Sequence, residues 1–350
     1  MHAAVRLLGA RQSAWARAMQ AEMASAGCER EALAFAWGCL CAAMGHALPA
    51  ARAGCGQVHN AGALACSAAV LLGCVFMHSA GAPGHYVAMN LLSLAFALAT
   101  FRLLPRRLLQ ADERLRGQLS FAVGALMLVA GLGQVLAGAA AWLRLGPVPF
   151  NLSWLLLPAL LVASDLRPAS RARPWATAGL VMAVGALVLQ ADALLTGLAA
   201  AVLSVLACRR RTLALALLAS ASWASAAYLA QAWRAPEALA FVDKVPQGGF
   251  ERNLALGLAL VLLQVLPLWT SWRHRQARVH GLVWGLVVAL SLPGWLPSPL
   301  VGFGGSFILA YLLSLALVAG DSAERPAASP RPAEARRRRA PPTWPRSGLT

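Results

Sequence analysis

From residue 62 to residue 319 the chain is built from unbroken apolar runs separated by short polar connections. The runs fall at about 62–81, 85–101, 119–141, 150–165, 175–189, 193–208, 212–231, 253–271, 280–297 and 303–319. Their lengths approach the roughly 20 residues a helix needs to cross hydrocarbon. Stretches such as Leu213 to Leu218 and Leu254 to Leu263 are continuous. A membrane β-barrel would instead alternate apolar and polar positions. The pattern predicts an all-α, polytopic integral membrane protein with about ten transmembrane helices. Composition agrees, with 59% apolar and 12% charged residues.

Charge orients the runs. Alternate connections carry nearly all the arginine: Arg102, Arg106, Arg107, Arg114 and Arg116; Arg167, Arg171 and Arg173; Arg209 to Arg211; and Arg273, Arg275 and Arg278. Arginine-rich loops stay on the cytoplasmic side, so these connections face inward and those near Arg144, Arg234, Lys244 and Arg252 face outward. The same parity sets both termini in the cytoplasm. A crossing by residues 33–49 would reverse it, so that stretch is read as interfacial or re-entrant. Residues 14–31 mix Trp15, Met19 and Met23 with Arg17, Glu22 and Arg30. They suit a helix lying at the headgroups, or a soluble helix docked on the cytoplasmic face. No cleavable leader pattern opens the chain, so the N-terminus is expected to be retained. Three regions result: an N-terminal cytoplasmic or interfacial segment at 1–61, a transmembrane domain at 62–320, and a basic disordered cytoplasmic tail at 321–350, rich in proline and ending its charge run at Arg336 to Arg339.

The net charge of +17 is spread over inward loops and tail, without a basic face interleaved with aromatics. No nucleic acid is expected as partner; attraction to anionic membrane lipid accounts for the charge. Six of seven cysteines lie before residue 75, none in a C-x-x-C pair, and they read as small buried hydrophobes. His46, His59, His78 and His85 nearby leave a heme or metal site as the alternative. P-loop, G-x-S-x-G and H-E-x-x-H strings are absent, which argues against a nucleotide-driven pump, a serine hydrolase and a zinc protease.

Three strings carry candidate chemistry. Pro299-Leu300-Val301-Gly302-Phe303-Gly304-Gly305-Ser306-Phe307 opens the last apolar run with glycines that are costly at a helix start unless exposed backbone is needed. Trp142-Leu143-Arg144-Leu145-Gly146-Pro147-Val148-Pro149-Phe150-Asn151 follows the third run, and Leu189-Gln190-Ala191-Asp192 joins the fifth and sixth. In order, these strings resemble three motifs of the SEDS family (shape, elongation, division and sporulation): the P-F-V-S-Y-G-G-S-S-like turn, the R-R-W-I-x-L-G-P-x-x-F-Q-P-S-E segment and the Q-P-D tripeptide. Departures are plain: Ala140 and Ala141 replace an arginine pair, Asn151 a glutamine, Trp154 an acid and Ala191 the proline, while Ser153 is kept.

The resemblance implies a SEDS-like fold in a bacterial cytoplasmic (inner) membrane, serving the cell wall in division or cell shape. It further implies a peptidoglycan glycosyltransferase that polymerises lipid II or a similar lipid-linked saccharide at the outer face, paired with a single-span penicillin-binding protein. Such a reaction needs a carboxylate base and groups that stabilise the departing diphosphate, whether cationic side chains or a divalent cation. The family's H-T-D-F-like motif is absent from the connection at 232–252. Asp243 and Glu251 are therefore the candidate bases, with Glu237 also in the loop and Asp192 next in line. Substrate binding falls to Gln190, Trp142, Arg144, Arg234, Arg252, Gly304, Gly305 and Ser306. A non-catalytic scaffold or precursor-binding protein is the alternative, and a transporter the third reading.

Overall fold

The computed structural model describes residues 56–104, 112–137, 142–145, 148–166, 170–234, 239 and 241–318. The N-terminal stretches at 14–31 and 33–49, His46, Glu237 and the basic tail lie outside them.

Every predicted run contains a helix. In chain order these are α1 (Gly56–Ser79), α2 (Gly84–Leu103) and α3 (Glu113–Ala137), then a hairpin of β1 (Trp142–Leu145) and β2 (Val148–Asn151). There follow α4 (Leu152–Ala163), α5 (Arg173–Leu189), α6 (Ala193–Arg210), α7 (Leu213–Ala232), α8 (Val245–Arg252), α9 (Leu254–Trp272), α10 (Arg278–Ser291) and α11 (Gly305–Ala316). Among the described residues six helices, α1, α2, α3, α6, α7 and α9, are long and apolar enough to cross a membrane. The rest are shorter: α4 and α11 have 12 residues each. At 1.5 Å per residue, such a helix spans only about 18 Å.

Local chemistry fixes the boundaries. Asn151, Asp192 and Asn253 each accept a hydrogen bond from a backbone N–H three residues on, starting α4, α6 and α9. Pro174 and Pro246 sit in the first turns of α5 and α8, where a missing N–H costs nothing. Two details differ from the sequence expectation. The second string contains two antiparallel strands, Trp142 pairing with Asn151, and the connection at 232–252 contains a helix. Val245, Pro246 and Gly249 are the buried face of α8, and this burial outweighs the poor helix propensity of Gly248 and Gly249.

Packing is closest between α3 and α5. A Cβ on Gly124 would lie 2.1 Å from the Gly179 carbonyl oxygen, and one on Gly179 would lie 2.2 Å from that of Ser120. Small residues let the two backbones touch, which is how helices gain van der Waals contact where lipid removes the hydrophobic drive. α4, α10 and α11 form the interior, with Trp284 and Tyr311 fully buried. Trp284 donates its indole N–H to Ser314 Oγ at 3.0 Å. By contrast α7 exposes Leu213, Leu217 and Tyr228, as a helix flanked by lipid does. Cys66 and Cys74 are buried in α1, unpaired.

Among the described residues, Arg116, Arg209 and Arg210 collect at one end. Asp165 after α4 pairs with Arg209 at 3.5 Å and with Arg210, and buried Arg116 donates to the Val162 carbonyl at 3.0 Å. These contacts tie α3, α4 and α6 together at the arginine-rich end.

Candidate functional site

The third string forms the reversal between α5 and α6. Asp192 caps α6, its Oδ1 accepting from the Leu195 N–H at 2.9 Å. Ala191 sits at φ 53°, in the left-handed region. A proline ring fixes φ at about −65°. This tripeptide therefore lacks the geometry a Q-P-D sequence would have. Gln190 Oε1 accepts from Ser153 Oγ at 2.7 Å, joining the third string to the residue that closes the second. Ala191→Pro would lose the N–H bond to the Val188 carbonyl as well as the backbone angle. It is expected to cost at least about 1 kcal/mol, seen as a lower unfolding midpoint in detergent, whereas Ala191→Gly should not lower it.

The glycine-rich string is held from two sides. Asn90, fully buried on α2, donates to the Gly302 carbonyl at 2.9 Å and accepts from the Gly304 N–H at 3.2 Å. On the other side Phe303 and Ser298 donate their N–H groups to the carbonyls of Phe241 and Val242, at 2.7 and 2.9 Å. Gly305 is closely approached, since an added Cβ would lie 2.3 Å from Ser93 Oγ. Gly304 is not: its backbone is extended, and the nearest atom to an added Cβ would be 3.6 Å away. What Gly304 contributes is its N–H.

Together these segments enclose a cavity of about 560 Å³. Six residues singled out in the sequence line it: Gln190, Asp192, Asp243, Gly304, Gly305 and Ser306. Its remaining wall is largely aromatic. Tyr86 stacks on Phe303 at 4.1 Å, Trp154 tilts against Phe307 at 4.7 Å, and Trp233 meets Trp295 edge-on at 6.0 Å. The helices contribute the starts of α2, α4, α6 and α11 and the ends of α5 and α7; Leu239, Val242 and Asp243 come from the α7–α8 connection, and Trp295, Leu296 and Pro297 from the residues after α10. No protein-family model, curated protein or solved structure matches this chain. The site is interpreted from its own chemistry.

Both carboxylates of the cavity are perturbed. Burial pushes Asp192 above the ordinary aspartate range, against N–H bonds from Leu195 and Leu194 that pull it down. Asp243 is half-buried in the α7–α8 connection and is also raised by burial, against the Leu239 N–H, which bonds its Oδ2 at 2.9 Å, and the charge of Lys244. Among the described residues no lysine or arginine lines the cavity. Among the described residues no three His, Cys, Asp or Glu side chains gather to hold a metal ion.

Other sequence candidates fall outside the cavity. Glu251 and Arg252 are exposed on α8 and do not line it. Arg252 donates to the Ser79 carbonyl at 2.9 Å, with its guanidinium 5.8 Å above the Phe76 ring, and so pins α8 to α1. Arg234 is exposed and absent from the lining. Trp142 and Arg144 belong to β1, but their side chains lie outside the described residues. The sequence reading missed Asn90, Tyr86, Trp233 and Trp295; tryptophans near the ends of apolar runs were the available signal.

Proposed function

We propose that this chain is a diverged SEDS-like membrane protein, with ten membrane-crossing segments, whose outward cavity receives the saccharide end of a lipid-linked glycan. The convergence of two of the three strings, of Trp154 just beyond the other, and of Asp243 on one aromatic cavity carries this reading. Aromatic faces suit the C–H surfaces of a sugar, and Gln190, Asp192 and Asp243 suit its hydroxyls. In the catalytic form of the proposal Asp243 is the base. It takes the proton of an acceptor hydroxyl as that oxygen bonds to the anomeric carbon, and the C–O bond to the lipid diphosphate breaks. A base must be ionised to act, and burial raises Asp243. The rising limb of the pH–rate profile should therefore lie above the ordinary aspartate pKa of about 3.9. Rates measured across acid pH check this; a limb at or below that value contradicts it.

One observation favours a second reading, a non-catalytic precursor-binding protein. The described lining has no cation to stabilise a departing diphosphate. Purified protein with fluorescent lipid II, alone and with a penicillin-binding protein, separates the two. Polymer supports the enzyme; saturable binding without polymer supports the binding protein. Absence of both sinks the proposal.

A further inference from the structure

The backbone around Asp243 is fastened from behind the cavity wall. Its own turn closes on itself: Val242 and Asp243 donate their N–H groups to the Leu239 carbonyl at 3.2 and 3.0 Å, and the Leu239 N–H returns to Asp243 Oδ2. The 298–303 segment anchors that turn. Phe303 bonds the Phe241 carbonyl, and Ser298 then brackets Asp243. The Ser298 N–H donates to the Val242 carbonyl at 2.9 Å, while its Oγ accepts from the Val245 N–H at 3.1 Å. Val245 opens α8, so no earlier turn can satisfy its N–H. Lys244 stands at the cap position without a side-chain bond, and an ammonium group cannot accept one. The start of α8 is instead capped by a hydroxyl 53 residues away in the chain. Gly302 permits the close seat: an added Cβ there would lie 2.7 Å from the Val242 carbonyl oxygen. The bracket also encloses strain. Phe241 has φ 64° and Lys244 φ 53°, a left-handed backbone that residues with a Cβ rarely adopt and that persists where surrounding contacts over-determine it. Ser298 itself is 2% exposed and does not line the cavity, whereas Val242 and Asp243 do.

We infer that Ser298 is a positioning residue for Asp243, the side chain that fixes where this carboxylate stands in the cavity wall. Without its Oγ, the Val245 N–H is buried with no acceptor, a costly state that the backbone relieves by moving. The chain just after Asp243 then loses its anchor. The Asp243 bond to Leu239 cannot restore the position, because Leu239 belongs to the same turn and moves with it. The catalytic consequence rests on the reading of Asp243 as the base; the placement of the carboxylate does not.

Carboxyl ¹³C NMR of the aspartate-labelled full chain in detergent reads that placement. The chain has five aspartates, few enough to resolve, and Asp243→Asn assigns the signal. Burial raises Asp243 in the native protein. Release toward water in Ser298→Ala should therefore bring its titration midpoint down toward about 3.9, while Asp192, in the α5–α6 reversal, keeps its own. Ser298→Cys keeps the shape and offers only a weak acceptor. It should shift the midpoint the same way by less, and it reads the bond if Ser298→Ala folds poorly. An unmoved Asp243, or equal shifts at Asp243 and Asp192, would overturn the inference. Turnover of labelled lipid II is the second arm. Ser298→Ala should lower kcat by about 10²-fold, the scale of a catalytic group misplaced by ~1 Å, with KM little changed. It should cost nothing further in the Asp243→Ala background; the same factor in both backgrounds would reduce Ser298 to a structural residue. A wild type without turnover removes Asp243 as base and leaves Ser298 to be decided by the NMR titration.

Discussion

Gly124→Val and Gly179→Val should each destabilise the protein more than any substitution on its lipid-facing surface. Both glycines lie where α3 and α5 touch backbone to backbone, and an added Cβ would meet main-chain atoms at 2.1 to 2.2 Å. Neither main chain can rotate out of the way as a flexible side chain would. Overpacking of this kind costs about 1–3 kcal/mol and sometimes more. Valine adds β-branching to the clash, so the upper end is expected. Thermal unfolding in detergent reads the loss. Gly133, also on α3, is the control: nothing lies within 4 Å of its added Cβ. Gly133→Ala should stabilise by about 0.5–1 kcal/mol through the unfolded chain. Equal behaviour at all three positions would mean that α3 and α5 do not pack through this seam.

The largest functional effect is expected at Asp243. If the protein turns over a lipid-linked saccharide, Asp243→Ala should lower the rate by about 10²–10⁴-fold, the range for loss of a positioned general base. Folding should survive, because the carboxylate is only half-buried and its structural bond is one N–H in a connection. Asp192→Ala is a different experiment, since it removes the N-cap of α6 and should cost about 1 kcal/mol of stability whatever its effect on turnover. Glu251→Ala should leave the rate unchanged, as Glu251 is exposed and outside the cavity. Full activity in Asp243→Ala, measured with labelled lipid II and a folded protein, would remove Asp243 from the mechanism.

Helix positions were legible because apolar runs bounded by arginine, proline and glycine leave few alternatives in lipid, where every backbone group must be satisfied internally. Their ends were less legible. The run at 280–297 stops being helical at Ser291, and Trp295, Leu296 and Pro297 beyond it line the cavity. α8 was hidden because Pro246, Gly248 and Gly249 read as loop. What makes it a helix is tertiary contact: a Cβ on Gly249 would lie 3.1 Å from the Gly257 Cα on α9. Asn90 was hidden for a similar reason. It is one amide inside an apolar run, and its partners lie 212 and 214 residues further along the chain. Arg234 and Arg252 are candidates for their place in the outward connection, but neither lines the cavity, because position in a loop does not fix where a side chain turns.

The central claim is that the aromatic cavity receives the saccharide end of a lipid-linked glycan. Photo-crosslinking tests it most directly, using lipid II with a diazirine on its sugar and purified full-length protein, followed by peptide mapping. The account predicts labelling within residues 190–194, 239–243 and 303–307 and at Trp154, Trp233 or Trp295, all suppressed by excess unlabelled lipid II. Competed labelling confined to the arginine-rich end, or no competed labelling anywhere, would contradict it.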